Sequence, residues 1–190
     1  VRVLLDHDYD ERYHRRASFK KRFQLRVNLQ RGDQNASYAG WIPSENPTSG
    51  PYQGTSFVWM PGEGGSVAVL VIGTDGFGAD AHILGSPGHG RRLRALSRLH
   101  RGHLWVKPDL LDLQMKVPEA VSADWPDIAV ALHTYGSVIY AAVPVRGPDD
   151  AAVVEDLLDL FFHEHGVPPT GAARDRWKER QEAIASQIFP

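Results

Sequence analysis

Six consecutive apolar residues, Val67-Ala68-Val69-Leu70-Val71-Ile72, constrain the fold more than any other stretch of the chain. The run has strand length and is rich in β-branched side chains, the pattern of a central strand whose faces are both covered. Upstream, Thr55–Met60 alternates, with Phe57 and Trp59 on one side. Pro61-Gly62-Glu63-Gly64-Gly65 joins the two segments and predicts a hairpin. Gly73–Asp80 follows as a glycine-rich turn. A hairpin with a buried central strand requires further strands beside it and helices over it.

The remaining pattern supplies both. Asp6–Arg22 predicts a helix, with Tyr9 and Tyr13 on one stripe, acids in its first turns and bases in its last. Phe23, Leu25, Val27 and Leu29 alternate with polar residues as a half-buried strand. Gly32–Gln53 reads as a long loop carrying Tyr38, Trp41 and Tyr52. Ser86-Pro87 opens a helix that runs to Leu99 or His100 and stops near Gly102. Leu104–Lys107 and Ser137–Val145 read as strands, and Asp127–Tyr135, Pro148–His165 and Ala172–Ile188 as helices. The expected architecture is α+β: one domain over residues 1–190, with a mixed, mostly antiparallel sheet, helices on one side or both, and a C-terminal helical pair. Residues 166–190 are expected to connect to a following domain. The opening at Val1 and the ending Ile188-Phe189-Pro190 read as parts of a longer protein.

Composition excludes several chemistries. There is no cysteine, so disulfides, thiolate metal sites and cysteine nucleophiles are ruled out. No apolar run approaches the roughly 20 residues of a membrane span, and Asp6 and Asp8 interrupt any leader-like start. A cytoplasmic location without membrane contact is the expectation. The net charge of −2 conceals segregation. Arg12–Gly32 holds no acid but carries Arg15, Arg16, Lys20, Lys21 and Arg22. Ala81–Pro108 holds none either and carries Arg91, Arg92, Arg94, Arg98 and Arg101, with acids collecting in Asp149–Glu164. Offsets of three, seven and ten put Arg91, Arg94, Arg98 and Arg101 on one helical face. With Ser86, Gly88 and His89 at that helix's start, these residues form a candidate phosphate-binding set. The alternative is the solvated side of an arginine-rich helix.

Tyr38, Trp41, Tyr52 and Trp59 form a candidate base or ligand pocket, because aromatic surfaces beside cations hold unstacked bases. Core packing is the competing account, strongest for Trp59. Gly73-Thr74-Asp75-Gly76-Phe77-Gly78 matches neither phosphate-loop spacing, and turn-making explains its glycines. Glu63, Asp75, Asp80 and His82 offer metal-ligand types, but no lysine lies near them. His163 and His165 do not share a helical face, and no Gly-x-Ser-x-Gly elbow occurs. No catalytic residue, metal or cofactor is assigned, and the chain reads as a binding module rather than an enzyme.

Tyr-Ala-Gly-Trp-Ile-Pro (38–43), Gly-Thr-Ser-Phe-Val-Trp-Met-Pro (54–61), Gly-Thr-Asp-Gly-Phe-Gly (73–78) and Ile-Leu-Gly-Ser-Pro-Gly-His (83–89) resemble the region preceding the ATPase module in McrB-type methylation-dependent restriction ATPases. That resemblance implies a specificity domain that binds DNA carrying a modified base such as methylcytosine, in a restriction or phage-defence system. It also implies a separate nuclease subunit and an oligomer assembled through a following AAA+ domain. No Walker A sequence occurs here, as such a domain would lack it. Two readings compete with it. One is a metal-dependent nuclease or hydrolase using Asp75, Asp80 and His82. The other is an interaction or oligomerisation module using Phe161, Phe162 and Trp177.

Overall fold

A computed structural model describes residues 22–29, 37–48, 51–122 and 124–189. The helix expected before Arg22, and with it Arg15, Arg16, Lys20 and Lys21, lies outside the described residues. A six-stranded sheet forms the centre. Its strands are β1 (Phe23–Asn28), β2 (Tyr38–Pro43), β3 (Thr55–Gly62), β4 (Gly65–Ile72), β5 (Trp105–Val106) and β6 (Ile139–Val145). They run in the order β1-β2-β3-β4-β6-β5, and every neighbouring pair is antiparallel. Helices are α1 (Ala81–Leu84), α2 (Pro87–Leu99), α3 (Pro126–Tyr135), α4 (Ala151–Glu164) and α5 (Ala172–Ile188). This is the expected α+β fold with its C-terminal helical pair. Among the described residues, no helix is long and apolar enough to cross a membrane.

The expected hairpin forms with Trp59 opposite Ala68 and Met60 opposite Val67. β4 sits between β3 and β6, and Val67 to Leu70 are fully buried, as a strand covered on both faces requires. One expectation fails. The segment taken as loop up to Gln53 contains β2, which bridges β1 and β3 with Trp41 opposite both Leu25 and Phe57. Its Ala39 and Gly40 weaken the alternation that marks a strand. Tertiary pairing on both sides makes it one nonetheless.

Period-2 alternation sends side chains to two separate cores. Phe23, Trp41, Phe57, Trp59, Leu70 and Tyr140 pack beneath α2, α4 and α5. Val58, Met60, Val67 and Val69 face the other way, against Trp125, Ile128 and Leu132 of α3 and its approach. Among the described residues, the sheet therefore has a thick side under α2, α4 and α5, to which α1 adds Leu84, and a thin side under α3. Phe161, Phe162 and Trp177, expected to meet a partner, are at most 3% exposed inside the chain's own core. This argues against the interaction reading for those side chains.

Part of the charge segregation is resolved within the fold. α4 is buried so deeply that its acids Asp156 and Asp159 are 3% and 1% exposed. Buried carboxylates need partners, and the basic segments supply them. Arg92 Nε lies 2.5 Å from Glu164, His100 Nε2 lies 2.7 Å from Asp156, and His103 Nε2 lies 3.0 Å from Asp150. Arg176 of α5 reaches Glu155 at 2.5 Å and Asp159 at 3.5 Å.

Candidate functional site

α3 covers only part of the thin side. Beside it, the β1–β2–β3 portion of the sheet carries an open cavity of about 560 Å³. Ile42, Ser56, Val58, Met60 and Val71, which alternation turns to this face, form its floor. Asn28 and Tyr38 bound it from β1 and β2, and Thr48, Pro51 and Tyr52 from the β2–β3 connection. Gly73 and Thr74 after β4, with Tyr135 and Val138 at the end of α3, close the remaining sides. Three tyrosines thus stand around an apolar floor that carries one serine. Among the described residues that line it, none is an acid, a lysine, an arginine or a histidine.

The wall that carries Tyr52 is held by backbone chemistry. Arg26 of β1 donates to the Asn46 carbonyl at 2.6 Å and also to the Pro47 carbonyl, and its guanidinium lies 5.0 Å from the centre of the Tyr52 ring. Asn46 locks the returning chain, accepting from Gln53 N at 2.8 Å and donating to Gln53 O at 2.9 Å. The glycine-rich turn seals against the same segment: Gly73 N donates to Gly54 O at 2.7 Å and Asp75 N to Tyr52 O at 2.9 Å. Gln53 Nε2 adds a bond to Asp75 Oδ2 at 2.8 Å. Gly73 therefore admits close backbone approach, and the N–H groups of Gly73 and Asp75 are used by the 51–54 segment rather than aimed at a phosphate.

The Tyr38 phenol has a raised pKa. Burial is the main cause, the charge and hydrogen bond of the Tyr52 side chain act in the same sense, and Arg26 acts against them. A phenol is neutral near pH 7 in any case, so Tyr38 offers a hydroxyl that can donate and accept at the cleft wall. Stacking surfaces, neutral hydroxyls and an apolar floor suit a flat, uncharged, amphipathic ligand.

The residues expected to form a pocket divide by face. Tyr38 and Tyr52 line the cleft. Trp41 (5% exposed) and Trp59 (8%) point to the opposite face and pack in the three-helix core, so neither can touch a ligand in the cleft. Their spacing explains it: Trp41 is three residues from Tyr38, and an odd offset in a strand changes face.

The expected phosphate-binding set is also redistributed. α2 packs on the thick side through Leu93 and Leu96, so its arginines and the cleft lie on opposite sides of the sheet. His89 is 2% exposed and bonds Glu164, which Arg92 also holds. Arg94 donates to Pro108 O at 3.3 Å, and Arg98 to Gln187 O at the end of α5 at 2.8 Å. Arg91 and Arg101 are exposed. Ser86 takes the N-cap conformation without a side-chain cap bond, and Gly88 follows it in the first turn. Arg22 lies 3.9 Å from Asp80. Lys107, part of the same basic window, is fully buried and donates to Asp112 O at 2.8 Å and Ser137 O at 2.7 Å. Desolvation lowers its pKa, against the charges of Asp112 and Asp109.

The acids and histidine considered for metal do not converge. Glu63 is at the hairpin tip, the opposite end of β4 from Asp75 and Asp80. Asp80 is 5% exposed and accepts from Thr55 N at 2.7 Å and Thr55 Oγ1 at 2.9 Å, with His165 Nε2 at 3.4 Å. Burial alone would raise its carboxyl; the hydrogen bonds and charge of His165 and the bonds from Thr55 outweigh burial and lower it. His82 Nδ1 sits 2.7 Å from Ala79 O. Among the described residues, no group of three or more His, Cys, Asp or Glu side chains is arranged to hold a metal ion. The Asp80–Thr55–His165 cluster ties the start of β3 to the end of α4.

Asn28, Ser56 and Tyr135 were not singled out from sequence. Ser56 offered a faint signal, a small polar residue at an inward position of an otherwise apolar strand. Tyr135, 45% exposed, offered another as an aromatic at the last position of a helix. No family model matches the chain, and neither a curated protein nor a solved structure is found to be similar to it.

Proposed function

We propose that this chain is a DNA-recognition module and that its cleft receives a modified base drawn out of the duplex. The observation that carries this reading is the cleft itself: among the described residues that line it, three tyrosines and no charged side chain, above an apolar floor. An extruded base is flat and neutral, has a polar edge, and is held by stacking and by hydrogen bonds to that edge. Phosphates would remain outside, where counterion release gives salt-dependent affinity. The basic run that begins at Arg12 precedes β1 in the sequence, and Arg26 of β1 stands beside Tyr52 at the cleft's edge. The arginines of α2 have no part in this contact, since α2 packs across the sheet. The resemblance in the 38–43 and 54–61 segments points the same way, because those segments become β2 and β3, which carry Tyr38 and Ser56.

The test is a fluorescence-anisotropy titration with duplexes of one sequence carrying cytosine or a 5-substituted cytosine, at two salt concentrations. Tighter, salt-sensitive binding to a substituted duplex is expected, with Tyr52→Ala abolishing the preference and Arg91→Ala leaving it intact. Equal binding of all duplexes by the parent chain would refute base recognition.

A further inference from the structure

Granting that a base enters the cleft, we infer that the base carries a bulky, uncharged, sugar-like extension rather than a methyl group alone. The first argument is volume. Clefts of about 300–1,000 Å³ take drug-sized ligands, and this one, open to solvent, is about 560 Å³. A methylated cytosine ring, with about nine non-hydrogen atoms, is well below that size. Pockets that discriminate bury most of their ligand's surface. A single methyl in an apolar site gains only about 10–200-fold, and less where water remains beside it.

The second argument is the distribution of polarity. An alkyl extension would fit a wholly apolar floor, and a charged one would need a counter-charge. This floor has neither character. Ser56, only 4% exposed, lies among Val58 and Val71, and Thr74 stands at the rim. The Arg26 guanidinium, which lies against the Tyr52 ring, is engaged by two backbone carbonyls. A pyranose ring matches this pattern, with C–H groups on its faces for Tyr52 and Val71 and hydroxyls on its rim for Ser56 and Thr74. Hydrogen bonds made only by the extended ligand would give the site its selectivity.

The experiment uses the whole chain and one duplex sequence carrying cytosine, 5-methylcytosine, 5-hydroxymethylcytosine or glucosylated 5-hydroxymethylcytosine, compared by competition anisotropy. Glucosylated duplex is expected to bind at least roughly tenfold tighter than methylated duplex, the worth of about one added hydrogen bond. Val71→Phe, which narrows the floor, should erase that ratio. Thr74→Val, at an exposed position, should lower it several-fold without disturbing the core. Methylated duplex binding as tightly as glucosylated, with both tighter than plain, overturns the inference and leaves base recognition standing. Equal binding of all four duplexes overturns both. Competition by free methyl glucoside with no preference among duplexes identifies a carbohydrate site and overturns both as well.

Discussion

Gly73→Ala tests whether the cleft wall depends on one close backbone approach. A Cβ at Gly73 would stand 2.1 Å from Tyr52 O, 2.6 Å from Tyr52 C and 2.8 Å from Gln53 Cα, whereas ordinary contact begins near 3.4 Å. The obstacle is main chain, so no rotamer change relieves it, and the 51–54 segment must withdraw by more than about 1 Å. That withdrawal breaks two bonds, Gly73 N to Gly54 O and Asp75 N to Tyr52 O. Each is worth about 0.5–1.5 kcal/mol net, and the overpacking adds about 1–3 kcal/mol. Restricting the unfolded chain returns about 0.4–1 kcal/mol. The expected net loss is about 1–6 kcal/mol, centred near 3. At a urea slope of about 2 kcal/mol per molar, the middle of the range for small proteins, a loss of about 3 kcal/mol lowers the midpoint by about 1.5 M. Tyr52 moves with its backbone, so ligand affinity falls too. Gly76→Ala is the control. Gly76 has φ +92° but nothing within 4 Å of a Cβ, so its cost is conformational alone, about 1–2 kcal/mol. A Gly73→Ala midpoint at or above that of the parent, or a loss smaller than that of Gly76→Ala, would refute the steric reasoning.

Three further outcomes follow from the same geometry. Trp41→Ala should cost about 3–5 kcal/mol as a buried aromatic truncation, while chain that remains folded keeps its ligand selectivity; loss of selectivity at unchanged stability would return Trp41 to the site. Arg26→Lys should lower ligand affinity more than stability, because a point cation cannot hold both carbonyls and lie against Tyr52; a variant with parental affinity would show the clamp to be dispensable. Acid should destabilise the fold. Asp80 has a lowered pKa because the bonds from His165 and Thr55 outweigh burial, and Glu164 because those from His89 and Arg92 do. The unfolded chain then binds more protons, so their stabilisation is full above about pH 5 and is lost as pH falls through the folded values. His163, lowered mainly by burial, acts in the same direction nearer pH 6. Urea midpoints from pH 7 down to about pH 2 measure the loss, and an Asp80→Asn slope equal to the parent's would contradict it.

Local pattern made most of the fold legible. The apolar run at Val67 to Ile72, the Glu63-Gly64 turn and the Ser86-Pro87 helix start each encode their own element, and each element formed where those residues stand. β2 was not legible, because Ala39 and Gly40 carry no strand signal and its pairing partners lie far along the chain. Charge was the least reliable guide. Sequence shows that bases and acids are segregated, but only the packing of α2 against α4 shows that His89, Arg92, His100 and His103 answer Glu164, Asp156 and Asp150.

Missing β2 also explains why the candidate site was half right. Read as loop, Tyr38 and Trp41 are interchangeable aromatics, each free to meet a ligand. Read as a strand, they cannot both do so, since residues three apart face opposite sides. The face Trp41 takes is then set by its neighbours, for it stands opposite Phe57, which the thick-side core claims. Tyr38 is left on the thin side, which among the described helices α3 covers in part. Among the described residues the cleft therefore follows from unequal layering: α2, α4 and α5 close one face of the sheet, and the side chains beside α3 on the other, Tyr38, Ser56 and Val71, face away from the packing that fixes Trp41, Phe57 and Leu70.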